Sequence, residues 1–67
     1  MPYVNVQITE GATRSQKQKL VERITAALVE DLGKSPETIH IVIQDVPEEN
    51  WGFAGMLTDD YRAQQSS

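Results

Sequence analysis

Residues 3–9 read Tyr-Val-Asn-Val-Gln-Ile-Thr, and their alternation sets the fold. Val4, Val6 and Ile8 fall on one face of an extended chain; Tyr3, Asn5, Gln7 and Thr9 fall on the other. A period of two carried by β-branched residues predicts a strand. Gly11 ends it. Thr13-Arg14-Ser15-Gln16 then fits a capping box, in which the Thr13 hydroxyl accepts from the Gln16 N–H and the Gln16 side chain accepts from the Thr13 N–H. The spacing that follows predicts a helix over about 14–32. Leu20, Val21, Ile24, Ala27, Leu28 and Leu32 form one apolar stripe, with Lys19, Glu22, Arg23 and Glu30 mostly away from it. Gly33 stands where a left-handed residue closes such a helix.

Beyond a connector, Lys34-Ser35-Pro36-Glu37, in which Pro36 suits the first position of a short turn, the run Thr38-Ile39-His40-Ile41-Val42-Ile43 reads as a second strand. It is nearly continuous in apolar residues, as strands covered on both faces are. Strand, long helix and strand make a β-α-β unit with parallel strands and a right-handed crossover. Residues 47–50 are a polar turn. Residues 51–57, Trp-Gly-Phe-Ala-Gly-Met-Leu, read as a short hairpin or an extended arm, and residues 61–67 as a polar tail with a frayed end. The fold class is α+β, in one domain over residues 1–67. One helix covers only one face of two strands, so the missing layer is expected from other copies of the chain, with 51–57 as the segment that packs on a neighbour.

Composition points the same way. A chain of 67 residues buries only about 60% of its unfolded surface, and domains this small usually need a disulfide, a metal or a partner. There is no cysteine and only one histidine, His40, so oligomerisation is the staple left; no cofactor or metal is expected. The net charge of −4 and the lack of a Lys/Arg cluster argue against nucleic acid as a partner. Nothing reads as a membrane span or signal peptide, and a soluble, cytoplasmic protein is expected.

The first two residues carry the chemistry. Removal of Met1 leaves Pro2 with a secondary amine at the N-terminus. Pro2, Glu10-Gly11, the Gln16-Lys17 helix start, the strand Ile39 to Ile43 and Trp51-Gly52-Phe53-Ala54-Gly55 together resemble the 4-oxalocrotonate tautomerases, over roughly residues 2–57. The resemblance implies that Pro2 is a general base moving a proton between oxygen and carbon in an enol–keto tautomerisation of a small 2-hydroxy-unsaturated or 2-oxo acid. It also implies a homo-oligomer, a hexamer built as a trimer of dimers. The active site then lies at a subunit boundary, with the aromatic residue of the arm, here Trp51, supplied by a neighbour. Burial in an apolar pocket lowers the pKa of an amine towards the range in which a general base works.

The sequence departs from the family's pattern at two positions. The family's two substrate-binding arginines fall at Ala12 and His40. Alanine offers no guanidinium fork, so a dicarboxylate is expected to bind poorly and a smaller or less charged enol better. His40 becomes a candidate donor to the substrate oxygen, since histidine changes charge in the physiological range. Arg14, two residues past Ala12, is a candidate replacement cation. Each residue also has a structural reading: Pro2 as a strand-start residue, His40 as a strand histidine, Trp51 as a packing anchor, Arg14 as a solvated first-turn residue. Two other functions stay open. One is hydration or dehalogenation of an unsaturated acid with Pro2 as acid; the other is a non-catalytic subunit of a mixed oligomer.

Overall fold

The computed structural model describes residues 2–65. Two parallel strands, β1 (Tyr3–Thr9) and β2 (His40–Val46), pair in register from Tyr3↔His40 through Asn5↔Val42 to Thr9↔Val46. Helix α1 (Arg14–Leu32) joins them. A second, antiparallel pair follows, β3 (Gly52–Phe53) and β4 (Met56–Leu57), and then helix α2 (Thr58–Gln65).

Local chemistry fixes α1 at both ends. The Gln16 N–H donates to the Thr13 hydroxyl at 3.2 Å, and the Thr13 N–H donates to the Gln16 side chain at 2.9 Å, so the capping box is complete. Gly33 closes the helix at φ 66°, donating its N–H to the Val29 carbonyl. Only glycine takes that backbone without steric cost. Lys17 Nζ reaches Asp45 Oδ2 at 2.5 Å, tying the first turns of α1 to the end of β2.

Three expectations are corrected. The second strand runs His40–Val46, not from Thr38 to Ile43. Pro36 opens a 3-10 turn over Pro36–Thr38, in which the Thr38 N–H and hydroxyl both donate to Ser35 O. That turn takes Thr38 and Ile39 out of the ladder. At the other end, pairing with β1 carries the strand through polar Gln44 and Asp45. The apolar stripe of α1 is also turned: Leu20, Val21, Ile24 and Leu28 are half-buried and are joined by Val29, while Ala27 and Leu32 are exposed. Finally, Tyr61 to Gln65 is not a free tail but part of α2; the expectation of a frayed end concerns residues 66 and 67, which lie outside the described residues.

Residues 51–57 form the hairpin. Ala54 and Gly55 take φ of 55° and 74°, the two positive values of a type I′ turn, which matches the twist of a two-residue hairpin. Thr58 holds the hairpin to α2: its N–H and its hydroxyl both donate to Trp51 O, at 2.8 and 2.6 Å. The Phe53 and Tyr61 rings lie 4.7 Å apart, and Arg62 pairs with Glu48 at 2.7 Å. Asp59 and Asp60 in the first turn of α2 suit the positive end of its dipole.

The sheet has one half-buried face, Val4, Val6, Ile8, Ile41 and Ile43, towards the α1 side, and one bare face, Tyr3, Asn5, Gln7, His40, Val42 and Gln44. Among the described residues no hydrophobic side chain is fully buried. The chain is elongated, with a radius of gyration of 15.7 Å, where a compact chain of this length gives about 11 Å. It exposes 5096 Å², roughly 850 Å² more than a compact monomer of its mass.

Candidate active site

Pro2 precedes the first residue of β1 and extends the sheet ladder: its carbonyl accepts from the His40 N–H at 3.1 Å. Parallel register then sets Tyr3 opposite His40. Pro2, Tyr3, His40 and Val42 line one hollow of about 300 Å³ on the bare face of the sheet. The two candidates that stand 38 positions apart in the chain are therefore neighbours, and they are neighbours because the β-α-β crossover is parallel. Pro2 is half-buried and its hollow is mostly apolar in lining. Met1, and with it the question of its removal, lies outside the described residues.

The other two candidates lie elsewhere in the chain. Trp51 lines a second hollow of about 480 Å³, with Gln7, Thr9, Phe53, Tyr61 and Arg62 among its walls. Arg14 lies on a third, with Lys17, Gln18 and Val21 of α1. Gln7 to Thr9 and Pro2 sit at opposite ends of β1, and a strand of seven residues is roughly 23 Å long. Within one chain, Pro2 and His40 are brought together, and Trp51 and Arg14 are not brought to them.

Two groups of lining residues were not singled out from sequence. Tyr3 and Val42 flank Pro2 and His40; the alternation of residues 3–9 put Tyr3 on the right face, but only the register puts Val42 beside it. Tyr61 and Arg62 wall the Trp51 hollow; a polar segment read as a tail gave no signal for them.

Comparison with known proteins places this arrangement. The family described as "Tautomerase enzyme" matches residues 2–61. The chain belongs to the tautomerase family. It is 42% identical over 67 residues to a "Probable tautomerase" of Dickeya dadantii (strain 3937), covering 98% of this chain and 100% of that one. It is 41% identical over 56 residues to the "2-hydroxymuconate tautomerase" of Comamonas testosteroni, covering 84% of this chain and 89% of that one. Among solved structures, a 4-oxalocrotonate tautomerase isozyme of Methylibium petroleiphilum superposes with a TM-score of 0.82 at 36% identity, covering 87% of this chain and 94% of that one.

The tautomerase is thus an isomerase, and its fold is the family's β-α-β unit with a C-terminal hairpin. Among its described residues, no helix is long and apolar enough to cross a membrane, and no group of three or more His, Asp or Glu side chains is placed to hold a metal ion.

Proposed function

We propose that Pro2, freed by loss of Met1, is the general base of an enol–keto tautomerisation of a small 2-hydroxy-unsaturated or 2-oxo acid. The observation that carries this reading is the single hollow shared by Pro2 and His40 on the bare sheet face. The amine takes the proton of the 2-hydroxyl as the carbonyl forms, and the resulting ammonium returns a proton to carbon. His40 donates to the oxygen on which charge develops, a contribution that strengthens in the transition state. Tyr3 and Val42 flank the base, and exclusion of water keeps an amine from being fully protonated at neutral pH. Trp51 completes the wall from a neighbouring copy. The relative named for 2-hydroxymuconate supports the substrate class. Ala12 and His40, where the family's pattern has arginines, favour a less charged enol over a dicarboxylate.

The oligomer proposed with it is a homohexamer, a trimer of dimers, acting in the cytoplasm. An uncovered sheet face and surplus surface close to the roughly 800 Å² that each partner contributes to a standard interface support association with further copies.

The test is ketonisation of an aryl enolpyruvate by a chain beginning at Pro2, in the native enzyme and in His40→Ala. Turnover by the native chain is expected. His40→Ala should lower kcat by roughly tenfold or more with little change in the thermal midpoint. A variant whose midpoint falls while kcat holds makes His40 structural, and a native chain without turnover defeats the assignment of Pro2.

A further inference from the structure

The second hollow contains a feature that the proposed reaction has not used. Three of the chain's four aromatic residues, Trp51, Phe53 and Tyr61, wall it, and the one cation on its lining is Arg62, carried by α2. The tilted Phe53–Tyr61 pair and the Thr58 hydrogen bonds to Trp51 O hold hairpin and helix in one piece, so the aromatic walls and the helix that carries Arg62 keep a fixed relation. Flat apolar walls take a conjugated ligand face-on or edge-on. A guanidinium beside them selects a carboxylate, which its planar fork binds in two parallel hydrogen bonds.

We infer that Arg62 binds the carboxylate of a flat, conjugated monocarboxylate seated against Trp51, Phe53 and Tyr61, and so sets substrate specificity in a chain with Ala12 and His40 at the family's arginine positions. The inference rests on the proposed function in one respect: Trp51 belongs to the substrate site of a neighbouring copy. Glu48 is the built-in competitor. Its carboxylate holds Arg62 Nη1 at 2.7 Å, and the Arg62 side chain is 65% exposed. An ion pair that open to solvent is weak, so a substrate carboxylate can exchange with it. One acidic group then replaces another on the same guanidinium: Glu48, itself a quarter exposed, turns to water.

Trp51 is the chain's one tryptophan, so its fluorescence reads the hollow directly. The experiment titrates the full chain with cinnamate, a flat monocarboxylate, and with cinnamamide, its neutral counterpart. Cinnamate is expected to bind roughly tenfold tighter than the amide. Arg62→Gln should erase that preference, leaving the amide unchanged, and Arg62→Lys should keep part of it. Glu48→Gln should tighten cinnamate, because the competing carboxylate is gone. This opposite sign separates a ligand-binding arginine from a clamp: if Arg62 only fastens α2, Glu48→Gln and Arg62→Gln weaken both ligands alike. That pattern overturns the inference, as does a native chain that binds the two ligands equally or not at all. Glu48→Gln keeps the test decisive even where Arg62→Gln fails to fold. Ketonisation is read separately. Turnover without an Arg62-dependent preference defeats the role of Arg62 and leaves that of Pro2; an Arg62-dependent preference without turnover does the reverse.

Discussion

A preparation that retains Met1 should show no enol turnover, and one beginning at Pro2 should be active. The reason is the electronic state of one nitrogen. As an N-terminal residue, Pro2 carries a secondary amine whose lone pair accepts a proton. Acylated by Met1, the same atom is a tertiary amide, its lone pair delocalised into the carbonyl, and it has no useful basicity. Nothing else on the hollow is proposed to replace it: Val42 is apolar, Tyr3 flanks the base, and the proposed mechanism gives His40 the oxygen. Pro2→Ala in a methionine-free chain separates basicity from geometry. A primary amine on a freer backbone lacks the ring that fixes the nitrogen against the sheet, and positioning of a base is a large share of its effect. The expected loss is roughly tenfold or more in kcat. The measurement is ketonisation on samples whose N-termini are verified by intact mass. Equal turnover with and without Met1 would remove Pro2 from the chemistry altogether.

Much of this fold was legible because its signals are local. The alternation of residues 3–9 bounded β1, and Thr13, Gln16 and Gly33 bounded α1 at both ends, since a cap is made from residues within one turn. What was missed depends on contacts distant in sequence. β2 starts two residues late because Pro36 winds Thr38 into a turn, and ends three residues late because β1 offers partners as far as Thr9. Helix α2 has no apolar stripe to announce it. Its polar residues are held by Glu48, Phe53 and Trp51, and none of these contacts lies within a helical turn. Ala27 and Leu32, which belong to the stripe by spacing, are exposed in a single chain.

The site divides along the same line. Pro2 was legible from its place after Met1, and His40 from its place in the second strand; that they share a hollow follows once the strands are parallel and in register. Trp51 lies beyond the far end of β1, and no reading of one chain joins it to Pro2. The proposed function brings it there from a neighbouring copy. The place of Arg62 on the Trp51 hollow depends on α2, which the sequence did not announce.

Val42→Lys should leave the chain unable to assemble, and a chain unable to assemble should not stay folded. Val42 lies on the bare face of the sheet, opposite Asn5, and is 41% exposed in one chain. Among the described residues only Thr58 is buried, and it is polar; a single copy therefore has little apolar burial to set against the entropy of ordering its backbone. If copies cover the bare face, a lysine at position 42 brings an unpaired ammonium into each interface, at a cost of several kcal/mol per site. Total stabilities are only about 5–15 kcal/mol, and symmetry repeats the penalty in every subunit. Native mass spectrometry should show a discrete hexamer for the native chain and monomer for the variant, and far-ultraviolet circular dichroism should show the variant largely unfolded at low micromolar concentration. The native unfolding midpoint should rise with protein concentration, since dissociation accompanies unfolding. Val42→Ile, which adds one methylene and no charge, should assemble. A Val42→Lys protein that remains hexameric with an unchanged midpoint would mean that this face meets water in the assembly, and the surplus surface of the single chain would then have to be covered elsewhere: along exposed Leu32, or along Phe53 and Leu57 of the hairpin.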